Sequence, residues 1–111
     1  MIFNAFDLVV VPFPFTDLNA TKRRPSLILS HARFSDETNH SVCAMVTSAK
    51  HSEWSGDTII TDLASAGLSS PSVVRFKIFT IDNRFVLKHI GLLSKADRDS
   101  VVQNVRKILP R

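Results

Sequence analysis

Apolar residues in this chain come in short runs divided by polar turns. Leu8–Val11, Ser26–Ser30 and Val42–Val46 are too short for helices and rich in β-branched side chains. They predict strands over residues 7–13, 25–31 and 41–48, with a short fourth over 57–61. Pro12 and Pro14 place the far end of the first strand at a sheet edge, or bend it away. From 72 to 81 the pattern alternates: Val74, Phe76, Ile78 and Thr80 face one way, Val73, Arg75, Lys77 and Phe79 the other. Asp82-Asn83 reads as a turn and Val86–Leu93 as a last strand. Asp62–Gly67 fits a single helical turn, with Gly67 able to take positive φ at its end.

At the C-terminus the period changes. Ser94 is placed to cap a helix, with Asp97 at capping-box spacing. The stripe Val101, Val102, Val105, Ile108 and Leu109 follows at helical spacing, and Pro110 stops it. That stripe is either core or a face for a partner. Strands joined by tight turns, then one terminal helix, predict a mainly β fold: one domain over 1–111, a small barrel of antiparallel strands with the helix packed on it.

Composition narrows the class. The 111 residues are 44% hydrophobic, enough for a modest core and too much for a disordered chain. No stretch reaches the roughly 18 consecutive apolar residues of a spanning helix. Met1–Phe6 carries neither a basic start nor a cleavage site, so a cytoplasmic protein is expected, away from membranes. The single Cys43 lies in an apolar run and reads as an ordinary buried thiol. Fourteen basic against ten acidic residues give a net charge of +4, compatible with a nucleic acid or with an acidic protein. The four histidines have no metal-ligand spacing and no glycine-rich phosphate loop is present, so neither metal nor cofactor is expected.

Candidate chemistry gathers at strand ends. Pro25 forces Arg24 into an extended conformation, which aims its guanidinium in a defined direction. A guanidinium offers a planar fork of donors suited to phosphate. The alternative is a solvated basic turn, Lys22-Arg23-Arg24. Thr47-Ser48 ends an apolar run, where a hydroxyl either donates to a phosphate or satisfies the backbone. Arg75 and Lys77 share a strand face, suited to a polyanion or to water. Trp54, in the polar segment His51–Gly56, either stacks on a base, anchors a subunit contact or folds back on the core.

Together these stretches resemble the PemK/MazF family of mRNA interferases, the toxins of toxin–antitoxin pairs. The similar segments are Asp7–Asp17, Lys22–Ser30, Val46-Thr47-Ser48, Ala66-Gly67-Leu68, Ser72–Arg75 and Ile90–Ser94. The resemblance implies an SH3-like barrel, a homodimer, single-stranded RNA as substrate and a cognate antitoxin with an acidic, flexible segment. It carries catalytic roles onto Arg24 and Thr47, and matches Arg75 to a strand arginine that some members use in catalysis or substrate binding. Arg23, Ser48, Lys77 and Trp54 join Arg75 as candidate substrate contacts. Two departures stand out. Phe6 precedes Asp7 where the family usually has glycine, and Lys77 stands where some members have an acidic residue.

The implied reaction is sequence-specific, metal-independent scission of single-stranded mRNA by attack of the ribose 2′-OH on the adjacent phosphorus. The rivals are a catalytically degenerate RNA- or protein-binding barrel, kept open by Lys77, and a gyrase-targeting toxin like CcdB.

Overall fold

The structure, a computed structural model, describes residues 1–13, 22–50 and 53–110. The expected polar turn Thr16–Thr21, with Pro14, His51 and Ser52, lies outside the described residues. The elements in chain order are β1 (Asp7–Phe13), β2 (Lys22–Ile28), α1 (Ala32–Thr38), β3 (His40–Ser48), β4 (Thr58–Ile59) and α2 (Leu63–Ala66). Then follow β5 (Ser72–Asp82), a 3-10 turn (Asn83–Phe85), β6 (Lys88–Leu92) and α3 (Lys95–Ile108). Among the described residues the strands form one antiparallel sheet in the order β4-β5-β3-β2-β1-β6. It curls into a half-barrel carrying the C-terminal helix, the mainly β fold that the apolar pattern predicts.

The sheet buries residues on both faces. Leu8, Leu27, Ala44, Val46, Val74 and Phe76 pack with Ala66 of α2 and Val101 of α3. On the other face, Val9, Val11, Ile28, Cys43 and Ile81 pack with Phe3 and Val86. This is why β1 reads as a continuous apolar run and not as an alternation. Burial pushes the Cys43 thiol up to about 12, so it stays protonated and inert.

Several boundaries differ from the sequence expectation. β2 begins at Lys22, not Pro25, and ends at Ile28. Pairing with β3 starts only at Ser26–Met45, so Pro25 removes no bond from that ladder. Pro12 lies past the reach of β6, which pairs β1 only over Asp7–Val10; that stretch of β1 is an edge, as expected. The last strand is shorter than Val86–Leu93, because Asn83–Phe85 forms a 3-10 turn first. The Arg84 N–H donates to the Asp82 carboxylate at 2.9 Å and caps that turn. Helix α1 falls where the sequence pattern predicts no element.

Along β5 the register slips between Ala44/Ile78 and Met45/Arg75, leaving Phe76 and Lys77 without partners of their own on β3. A slip of two residues keeps the parity, so the predicted alternation of faces survives.

Helix α3 starts as expected: the Asp97 N–H donates to Ser94 Oγ at 3.2 Å. The Asp97 carboxylate then reaches across the chain. It accepts from the Thr61 hydroxyl at 2.7 Å and from the Asp62 N–H at 3.0 Å. This pins the start of α2 to the start of α3. Val101 and Val105 join the core, whereas Ile108 and Leu109 are 41% and 45% exposed, so the stripe is core only in its first turns. Among the described residues no helix is long and apolar enough to cross a membrane.

Candidate active site

Strands β2 and β3 stop pairing beyond Ser26–Met45. Extending that register sets Arg24 opposite Thr47, on one face of the sheet. Where the strands separate, a groove of about 380 Å³ opens, bordered by Arg23, Arg24, Pro25, Thr47 and Ser48. The guanidinium-bearing strand start and the hydroxyl-bearing strand end thus meet at one cleft. Side chains alternate along each strand, so Arg24 and Thr47 share one face of the sheet, a cation beside a hydroxyl that suits an anionic ligand, while Arg23 and Ser48 lie on the other face.

The opposite bank is Gly67, Leu68, Ser69 and Ser70. Its position follows from α2. The Ser65 N–H donates to Asp62 Oδ1 at 3.0 Å and starts the turn, and Gly67 ends it at φ +74°. At Gly67 a Cβ would lie 2.0 Å from the Ile90 carbonyl oxygen, and at Gly91 one would lie 2.4 Å from the Ala66 carbonyl carbon. Only glycines let these two backbones touch, and that contact holds the serine bank over the cleft. Among the described residues bordering the groove there is no carboxylate and no imidazole.

Arg75, Lys77 and Trp54 do not border that groove but gather beside it. Arg75 is on the same sheet face as Thr47, since Thr47 pairs with Val73 and Met45 with Arg75. Its Nε and Nη2 donate to the two oxygens of Asp57 at 3.1 and 2.8 Å. Both side chains of this fork are nearly buried. The hydrogen bond from Arg75 outweighs burial and holds the Asp57 carboxyl below the usual carboxylate range. The Trp54 N–H donates to the same carboxylate at 3.0 Å. The indole centroid lies 6.0 Å from the Arg75 guanidinium and 5.2 Å from the Lys77 ammonium. Trp54 is therefore not folded into the core: it stays 46% exposed. Asp57 carries no signal of its own in the sequence, because its partner lies 18 residues away across a loop. The serine bank was equally silent, its residues being ordinary turn formers.

The sequence profile of the PemK-like, MazF-like toxins of type II toxin–antitoxin systems matches residues 4–109. The chain belongs to this family. Solved structures agree on the fold of this PemK/MazF-like toxin. MazF from Deinococcus radiodurans superposes with a TM-score of 0.77 at 19% identity, covering 100% of this chain and 99% of that one. The Mycobacterium tuberculosis toxin MazF-mt6 gives 0.72 at 20% identity, covering 91% and 93%. An endoribonuclease from a mycobacterial species, in complex with its cognate antitoxin, gives 0.73 at 14% identity, covering 99% and 97%. No curated protein sequence gives a comparable match. In this PemK/MazF-like toxin the place of glycine before Asp7 is filled by Phe6 at φ +73°. The unusual residue keeps the left-handed turn that glycine would favour.

Proposed function

We propose that this toxin is an endoribonuclease that cleaves single-stranded mRNA at preferred sequences, without a metal ion. The ribose 2′-OH attacks the adjacent phosphorus, and the 5′ oxygen leaves. Products are a 2′,3′-cyclic phosphate, or its opened 3′-phosphate, and a 5′-OH. The observation that carries this reading is the single groove bordered by both Arg24 and Thr47. Arg24 offsets the charge that develops on the phosphoryl oxygens. Thr47 and Ser48 orient the phosphate for in-line attack, and Arg23 contacts a flanking phosphate. The residues named here act on charge and position, not on the proton. Asp57 is a poor proton acceptor because its carboxyl is held low by Arg75.

The toxin works as a homodimer that is silenced by an antitoxin with an acidic segment. Support comes from family membership and from the MazE–MazF complex of Deinococcus radiodurans, which has the same fold at a TM-score of 0.76 and 19% identity.

The test is purified protein incubated with a long transcript in excess EDTA, followed by mapping of the ends. Cleavage should persist in EDTA and leave 5′-OH ends. Arg24→Ala should lower the rate by about 10²–10³ with the fold intact. Equal rates for folded wild type and Arg24→Ala would remove Arg24 from the reaction. A second reading, RNA binding without scission, is favoured by the absence of a proton-transfer group among the described groove residues. It predicts tight RNA binding by a wild type that leaves the transcript whole.

A further inference from the structure

Outside the groove, one loop gathers an ion pair, a backbone hydrogen bond and an exposed indole. Asp57 does two jobs with one carboxylate: it forks onto Arg75 and fixes the backbone of Trp54. Two cations then sit against the indole, yet Trp54 remains 46% exposed. A loop tryptophan held this rigidly, and not sunk into the core, presents aromatic area that loses little conformational freedom on binding. We propose that Trp54 is a base-stacking platform for a nucleotide flanking the scissile one, with Lys77 contacting a neighbouring phosphate and Asp57 as the positioning residue. This rests on the ribonuclease reading above and extends its substrate site beyond the groove.

Placement supports it. Arg75 is the diagonal cross-strand neighbour of Thr47, a separation of about 7–8 Å in an antiparallel sheet. The indole centroid lies 6.0 Å from the Arg75 guanidinium, so Arg75 is the neighbour that Thr47 and Trp54 share. The slip in β5 leaves Lys77 off the β3 ladder, exposed beside the ring. Arg75 is committed to Asp57 and serves as a floor under the indole. The exposed cation of the group is Lys77, which suits a mobile phosphate.

Trp54 is the sole tryptophan, so intrinsic fluorescence reports on this position alone. The probe is a short single-stranded oligoribonucleotide, titrated into the folded Arg24→Ala protein so that cleavage is slow on the time scale of the titration. Saturable quenching is expected, and an abasic oligonucleotide of equal length should quench far less. In wild-type background, Trp54→Ala should raise KM for a long transcript about 5- to 100-fold with kcat nearly unchanged. Trp54→Phe should keep most of the affinity. Asp57→Asn should raise KM in the same way, and Asp57→Glu should recover part of the loss.

Unchanged fluorescence at saturating RNA, or equal quenching by the abasic probe, would overturn the proposal. So would emission that shifts on dilution without RNA, which would place the indole between two copies of the chain. Quenching without any scission by wild type would sink the nuclease reading and leave Trp54 as a base-stacking contact in an RNA-binding groove. Scission with a silent Trp54 would do the reverse.

Discussion

Single side chains in this molecule often serve two elements at once, and Asp97 shows the principle. Burial raises its pKa, but the bonds from Thr61, Asp62 and Ser94 outweigh that and leave it lowered. A carboxyl with a lowered folded pKa adds stability above its unfolded value, near 3.9, and loses it as pH falls through the folded value. Denaturant melts should show wild type weakening in that acid window. Asp97→Asn should cost about 2 kcal/mol at pH 7 and flatten the acid loss. An acid profile identical to wild type would show that the carboxylate is not the tie. The strand-end positions of Arg24 and Thr47 beside one groove were legible because their cause is local: a proline fixes one, a strand end the other. Asp57 and the cross-chain role of Asp97 were not, because a carboxylate's partner is chosen by tertiary approach. Asp97 was visible only as a helix cap.

Among the elements, those driven by apolar burial, and the short α2 closed by Gly67, could be read from sequence, whereas α1, anchored by a hydroxyl, could not. Strand β3 and helix α3 announce themselves through their apolar positions. Helix α1 buries only Ser35, whose hydroxyl accepts from the Phe3 N–H at 3.0 Å and from Asn83 Nδ2 at 2.8 Å. A helix held by a hydroxyl leaves no apolar stripe; its one signal is Asn39, left-handed at φ 57° beyond its end. The start of β2 was missed for a related reason. Proline reads as a strand breaker unless one knows that the neighbouring ladder has not yet begun. Where α2 meets β6, contact is backbone on backbone. Gly91→Ala would set a methyl within 2.5 Å of main-chain atoms at Ser65 and Ala66. It should destabilise by at least about 2 kcal/mol in denaturant melts and depress cleavage by shifting the serine bank. A melt within experimental error of wild type would mean that α2 gives way freely.

For the molecule as a whole, charge governs reach. A surplus of four positive charges is mild, so affinity for RNA depends on where those charges lie more than on their sum. Binding of an oligoribonucleotide should weaken linearly in log–log form as salt rises. Arg23→Ala, at an exposed position beside the groove, should lower that slope by about one. An unaltered slope would take Arg23 off the phosphate path. The two banks of the groove answer to different constraints. One carries the guanidinia and hydroxyls on paired strands. The other ends in Ser69 and Ser70, carried past a junction where main chains abut with no side chain between them. Those two serines are therefore open to substitution without disturbing what braces them, so exchanging the dipeptide would alter what the cleft touches while the barrel beneath stays as it is.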